Sequence, residues 1–336
     1  MDVSVVIPSY NRADLLAFTL DAVLAQTVPP REVIVVDDGS RDDTLLMVAR
    51  YHPKVRAIPI GNSGSIVARN IGLREAAAAI VAFCDSDDLW QPDFLERMAA
   101  LWRAEPRTRV AYANFRIVQD DFWGTETKFD KAPAGFWTGL RSVGEGLGVF
   151  DNPIVDRLVG FQPFFPSACV VDRIAMIEAG GWDEGVGRTV GDDFGTVLRL
   201  GELHPFGVLS APLVGIRKHA GNFSANVRTM NLGDANILEY VLASRPSLLP
   251  HAALIRDSVE RRRRDALDSA FADGDFAAVR TIYGLLPTHA TSKEARLKKL
   301  VATLPSPLAS RVAGILTLGS GFRRAIGGSN RPEPRG

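Results

Sequence analysis

The stretch IVAFCDSDDLWQPD, residues 80–93, decides how this chain is read. An uncharged run from Ile80 to Cys84 stops abruptly at Asp85, Asp87 and Asp88. EVIVVDDGS, residues 32–40, has the same form and ends at Asp37 and Asp38, and VSVVIPSYNR, residues 3–12, opens the chain. Short apolar runs rich in β-branched residues and bounded by turn residues fit strands buried on both faces. Carboxylates at the carboxyl ends of neighbouring parallel strands stand where open α/β sheets bind ligands. Asp85, Asp87 and Asp88 repel one another unless a cation neutralises them. A hard divalent metal with oxygen ligands does so, and metal on carboxylates points to a phosphate-bearing substrate.

Outward from this stretch, strands are expected at residues 3–8, 33–36, 55–60, 80–84 and 110–114. Helices are expected at 13–26, from DGSRDDT to about residue 51, at 65–79 and at 92–105. In the first of these, Leu16, Leu20, Val23 and Leu24 share one face. The alternation implies an α/β/α sandwich with a mostly parallel central sheet. Residues 115–161 lack a clear period and read as a long substrate-facing insertion. A strand at 164–171, a short helix at 173–179, the turn GGWDE, a helix at 192–200 and one or two strands at 204–217 follow. From residue 231 the chain reads as helical. Residues 266–287 form a helical hairpin of tetratricopeptide kind, a single unit rather than an array. Residues 308–326 form a basic amphipathic helix, and the final GGSNRPEPRG has a disordered composition. The expected organisation is a sheet domain over 1–228, a helical region over 229–304, and a basic helix with a flexible tail over 305–336.

The 336 residues suffice to bury a sizeable core, and 46% apolar with 23% charged residues indicates a globular chain rather than a disordered one. The formal charge is zero but unevenly spread: residues 252–336 carry 15 Lys/Arg against 8 Asp/Glu, and the rest 24 against 31. The basic end fits an anionic surface, a membrane leaflet or a protein partner, or else a solvated helix face. Cys84 and Cys169 lie in strand-like runs and read as buried reduced thiols. Strand-like sequence begins directly after Met1, without a signal-peptide pattern, and no stretch is apolar enough to span a bilayer. The expected location is cytoplasmic, at the inner face of the plasma membrane where the basic helix makes peripheral contact. G-x-G-x-x-G and P-loop patterns are absent after the first strand, against nicotinamide and ATPase chemistry. The basic residues are not interleaved with aromatics, against nucleic-acid binding.

Taken in order, IPSYNR, VVDDGS, the segment with Asn62, Gly64, Arg69 and Asn70, DSDD with the following PD, GGWDE and the acidic pair Asp192-Asp193 resemble the family 2 glycosyltransferases. These are inverting enzymes of the GT-A fold that use nucleotide-diphospho-sugars. The resemblance extends to about residue 224 and carries none of the C-terminal third. It implies that Pro8, Ser9 and Tyr10 hold the nucleoside and that Arg12 reaches a phosphate; the bland alternative is a strand-to-helix turn with Asn11 as cap. It implies that Asp38 accepts from the base imide, against the alternative that Asp37, Asp38 and Ser40 only build a turn. An imide favours UDP- or dTDP-sugars, and guanine can also donate to a carboxylate. Arg69 pairs with the nucleotide or fixes Asp85, or is a surface arginine.

Asp85-Ser86-Asp87 is the D-x-D element. In an extended segment, residues i and i+2 point the same way. By resemblance, Asp85 and Ser86 approach the nucleotide-sugar and Asp87 ligates Mn2+ or Mg2+, while Asp88 caps the turn. His219 joins the metal or a phosphate, and Arg217 and Lys218 meet the diphosphate. Asp193, followed six residues later by Arg199, is the implied general base. Asp192 replaces the usual glutamate and grips the acceptor, or the pair merely starts a helix. Trp182 stacks on an acceptor sugar or else lies in the core. The expected function is metal-dependent, inverting transfer of a sugar from a nucleotide-diphospho-sugar to a hydroxyl of a saccharide or lipid-linked glycan in surface polysaccharide synthesis. The alternative is an inactive glycosyltransferase-like adaptor acting through its helical tail.

Overall fold

The computed structural model describes residues 2–219 and 226–327. The chain divides into two compact units, Met1–Asn222 and Phe223–Gly336.

The first unit is built on one sheet. Strands β1 (Val3–Ser9), β2 (Glu32–Asp37), β3 (Val55–Pro59) and β4 (Ile80–Phe83) come from the apolar runs of the sequence. They pair in parallel in the order β3-β2-β1-β4. β1 and β4 are buried throughout, as strands covered on both faces must be. Helices α1 (Ala13–Leu24), α2 (Thr44–Ala49) and α3 (Ser65–Glu75) connect them, α4 (Phe94–Ala104) follows, and apolar sides turn inward, Leu16, Leu20 and Val23 in the case of α1. α3 lies so close to β1 that a Cβ on Gly72 would stand 2.3 Å from Val6 Cγ1.

Beyond β4 the sheet is mixed. The remaining strands are β5 (Leu89–Trp90), β6 (Val110–Gln119), β7 (Phe122–Thr127), β8 (Arg141–Gly144), β9 (Leu147–Phe150), β10 (Cys169–Asp172) and β11 (Phe206–Lys218). The order continues β4-β10-β6-β11-β9-β8, with β5 on β11 and β7 on β6. β10 enters antiparallel to both β4 and β6, so the parallel character holds for the first four strands and for β6 with β11. An antiparallel strand with Cys169, Val170 and Val171 all buried has the same apolar pattern as a parallel one, so direction is not legible in it. Residues 115–161 are not an irregular insertion: they hold the end of β6, strands β7 to β9 and helix α5 (Val155–Gly160). The short, mostly exposed strands β7 and β8 carry little apolar periodicity. β11 is one long strand whose register with β6 shifts around Pro212, a residue that cannot donate to the ladder. Helices α6 (Arg173–Glu178) and α7 (Asp193–Leu200) complete the unit.

The second unit is helical: α8 (Val227–Ser244), α9 (Ala252–Ala272), α10 (Phe276–Gly284), α11 (Lys293–Val301) and α12 (Ser306–Gly327). The hairpin expected at 266–287 is the end of α9 with α10, and its Leu267, Phe271, Phe276, Val279 and Ile282 share a core with Val301, Ala309 and Ala313. Val312 and Leu316 of α12 pack against that core, while Leu308, Arg311 and Ile315 are exposed. The expectation of a disordered tail falls, from residue 328 onward, outside the described residues. Among the described residues no helix is long and apolar enough to cross a membrane. Cys84 and Cys169 are free and buried, and burial pushes the Cys169 thiol up to about 12.

Candidate active site

The ends of β1, β2 and β4 bring the acidic motifs to one edge of the sheet. After β1 the chain turns through Asn11, held at a φ of 49°. Asn11 does not cap α1. Its Oδ1 accepts from the Arg41 amide at 2.8 Å and its own amide donates to Ser40 Oγ at 2.8 Å, while Asp42 accepts from the Ala13 amide at 3.1 Å. The two loops are thus laced together. Ser9 is buried and its Oγ has no partner among the described residues; Tyr10 is exposed.

Asp37 and Asp38 are both buried and both hold turns. Asp37 accepts from the hydroxyl of Ser40 at 2.5 Å and from its amide at 3.1 Å. Asp38 accepts from the amides of Ser63, at 2.5 Å, and Gly64, at 2.8 Å, and Asn62 Nδ2 donates to the Asp38 carbonyl at 3.0 Å. Gly64 sits at a φ of 98°, a conformation that favours glycine. Arg188, outside the sequence expectations, clamps the same loop by donating to Asn62 Oδ1 at 2.7 Å and to its carbonyl at 2.5 Å.

Asp85-Ser86-Asp87-Asp88 is a turn rather than an extended segment, closed by the Asp88 amide on the Asp85 carbonyl at 3.1 Å. The expected alternation of Asp85 and Asp87 therefore does not apply, and each carboxylate has its own partners. Asp85 accepts from Arg69 Nη2 at 2.5 Å. Asp87 meets His219 Nε2 at 2.9 Å and Arg12 Nε at 3.7 Å. Ser86 is buried between them. Asp88 points inward, where it accepts from Ser167 Oγ and from the Arg217 amide at 2.9 Å. Burial, then the charges of Asp87 and Asp85, push its carboxyl well above the usual range. Asp88 thus pins the turn to β11 and so carries His219 to Asp87. Arg217 donates through Nε to the Asp87 carbonyl at 3.1 Å and through Nη1 to Asp121 at 2.7 Å, so it braces the turn.

Asp192 immediately precedes α7 and Asp193 begins it. Ser65 Oγ donates to Asp192 at 3.3 Å and Gln162 Nε2 to Asp193 at 3.3 Å. Burial raises the Asp192 carboxyl, with Arg69 opposing. Arg69 is the centre of the arrangement. Burial disfavours its charge, but Asp85, Asp192 and Asp193 outweigh burial and raise it. It is an interior residue, not a surface one, and lies 4.8 Å from the centre of the Trp182 ring.

Trp182 corrects an expectation. Only 1% of it is exposed, and its ring meets Phe83 edge-on at 5.0 Å, so it cannot stack on an acceptor sugar. It is a core residue that floors Arg69. Arg199 likewise faces the glycine turn, donating to the Gly181 carbonyl at 2.9 Å and pairing with Asp183 at 3.3 Å. Asn70 locks the same turn, bonding the Trp182 amide at 2.8 Å and its carbonyl at 2.9 Å. Gln162, Ser167 and Arg188 carried no sequence signal, since each acts across a long separation.

Among the described residues no group of three His, Cys, Asp or Glu stands ready to hold a metal. Asp87 and His219 nevertheless offer an oxygen and a nitrogen side by side. Mg2+ and similar cations are commonly held by one or two protein ligands, with substrate phosphates and water completing the shell. The donor set fits such an ion.

The family profile described as Glycosyl transferase family 2 matches residues 4–153. The putative teichuronic acid biosynthesis glycosyltransferase TuaG of Bacillus subtilis is 43% identical over 136 residues, 39% of this chain and 53% of its own length. The succinoglycan biosynthesis protein ExoO of Rhizobium meliloti is 39% identical over 123 residues, 36% of this chain and 35% of its own length. The chain thus spans about half the length, or less, of these curated relatives. Among solved structures, S. aureus TarS 1-349 in complex with UDP-GlcNAc covers 92% of this chain and 91% of its own, with a TM-score of 0.60 at 17% identity. At that identity the likeness is one of fold, and it extends past the region matched by the profile. Profile, relatives and fold agree with the motifs that line the sheet edge, and through residues 4–153 the chain is similar to glycosyl transferase family 2.

Proposed function

We propose that the chain is an inverting, metal-dependent glycosyltransferase that moves a sugar from a nucleotide-diphospho-sugar to a hydroxyl of a saccharide or lipid-linked glycan during surface polysaccharide synthesis. The observation that carries this reading is Arg69. One buried guanidinium holds Asp85 of the D-x-D turn and carries the field of Asp192 and Asp193, tying a donor side to a base side. The names of TuaG and ExoO support the polysaccharide setting.

In this reading Tyr10 and the loops tied by Asp38 receive the base. Each Asp38 oxygen already takes one amide proton and keeps a lone pair for an imide N–H. That favours a UDP- or dTDP-sugar, and TarS of like fold is seen with UDP-GlcNAc. Arg12 is placed for a phosphate. Asp87 and His219 would hold Mn2+ or Mg2+, which neutralises charge on the leaving diphosphate. Asp193, oriented by Gln162, takes the proton of the acceptor hydroxyl as that oxygen attacks the anomeric carbon. A single in-line displacement inverts the configuration. Residues 1–228 are the catalytic part, followed by the helical region 229–304 and the basic helix and tail 305–336. That last part is the proposed point of contact with the inner face of the membrane.

The test is calorimetric titration of UDP, dTDP and GDP, each with and without Mn2+, into the wild type and Asp87→Ala. Tight binding of one nucleotide that weakens without metal and in the variant is expected. No binding of any nucleotide by the folded chain would leave the inactive adaptor.

A further inference from the structure

Lys128 follows β7 and is half-buried. Its ammonium lies 4.9 Å from the centre of the Phe161 ring and 5.7 Å from that of Phe165. Phe165 is itself held edge-on by Phe115 at 4.8 Å. Among the described residues no carboxylate pairs with Lys128. Its neighbour Lys131 is bound to Glu126 at 2.9 Å. Burial, and then the like charges of Lys131 and Lys218, lower the proton affinity of Lys128. Aromatic faces compensate a desolvated cation in part, and an anion brought to Lys128 would complete the compensation.

The position of Lys128 narrows what that anion is. Phe161 and Phe165 flank Gln162, whose amide reaches Asp193 at 3.3 Å. The rings that seat Lys128 therefore belong to the segment that orients the proposed base. The diphosphate side has its own cation in Arg12, whose Nε lies 3.7 Å from Asp87. We infer that Lys128, on its Phe161–Phe165 platform, binds an anionic group of the acceptor, a carboxylate or a phosphate, beside the hydroxyl that Asp193 deprotonates. This rests on the proposed transferase reading and narrows its acceptor class to a charged glycan or a phosphate-bearing one. Phe161 and Phe165 are both partly exposed and form the adjoining wall.

The test uses the full chain with Mn2+ and the nucleotide that it binds, titrated by ligand-observed NMR with four probes. Methyl glucuronide and glycerol phosphate carry the anion, and methyl glucoside and glycerol are their neutral counterparts. A charged probe is expected to bind at least about tenfold more tightly than its neutral partner, the scale of one charge-assisted contact. Lys128→Met should abolish that preference with nucleotide affinity unchanged, and Lys128→Arg should keep it. A preference for one charged probe over the other identifies carboxylate or phosphate. Equal binding of charged and neutral probes by the wild type overturns the inference. So does a fall in nucleotide affinity in Lys128→Met, which would assign Lys128 to the donor diphosphate. Failure of the wild type to bind any nucleotide overturns the transferase reading as well and is recognised by that sign alone.

Discussion

Replacing Arg69 by methionine tests whether one buried cation holds the candidate site together. Arg69 is 4% exposed, and its guanidinium balances Asp85 at 2.5 Å as well as Asp192 and Asp193 nearby. Breaking a buried pair by removing one partner costs about 3–5 kcal/mol. The Asp85 side chain is 30% exposed, so water recovers part of its loss and the lower end, about 3 kcal/mol, is expected. The loss depends on pH. Asp192 is already raised above its ordinary 3.8 by burial, and Arg69 is the first influence opposing that rise. A carboxyl whose folded value is raised contributes stability that is full below the unfolded value and lost as pH rises through the folded one. Without Arg69 the folded value climbs further, so the variant should lose more stability at pH 8 than at pH 5. Urea unfolding followed by tryptophan fluorescence at both values measures this. A loss below about 1 kcal/mol, the range of an exposed ion pair, would refute the argument. A loss equal at the two pH values would refute the part assigned to Asp192.

Three further outcomes are expected. Gly72→Ala forces a methyl to within 2.3 Å of Val6 Cγ1 and should cost about 1–3 kcal/mol in chemical denaturation, with the fold retained. Asp193→Asn should lower kcat by about 100- to 10,000-fold while leaving nucleotide affinity in calorimetry unchanged, as loss of a general base requires. Reversing the charges of Arg311, Arg323 and Arg324 to glutamate should abolish co-flotation with anionic vesicles; unchanged flotation would remove the proposed membrane contact.

The parallel half of the fold was legible because β1, β2 and β4 are largely apolar runs that end at turn residues. The mixed half was not. β10 is antiparallel yet as buried and apolar as the parallel strands, and β7 and β8 are too exposed to show a period. In the helical unit, the tetratricopeptide-like pattern of residues 266–287 marked the hairpin of α9 and α10, whose Leu267, Phe271, Phe276 and Val279 lie in its core.

For the candidate site, the sequence identified which carboxylates gather but not how they divide. Asp85, Asp87 and Asp88 look equivalent in the chain, and a dipeptide alternation gives Asp85 and Asp87 one direction. The turn sends each to a different partner: Arg69, His219, and the Ser167–Arg217 pair. Those partners come from 16 to 132 residues away, and a separation of that size leaves no local trace. Trp182 failed for a related reason. An aromatic after a glycine turn fits a sugar platform as well as a core, and only the placement of Phe83 and Arg69 on it decides for the core. Asp88 has the strongest consequence. With its carboxyl turned inward and its proton affinity raised, it leaves Asp85 and Asp87 as the outward pair. The mutual repulsion that first marked three adjacent carboxylates is eased by their separate partners, Arg69 on Asp85 and Arg12 with His219 on Asp87, and in the proposed reading a metal would add to this at Asp87.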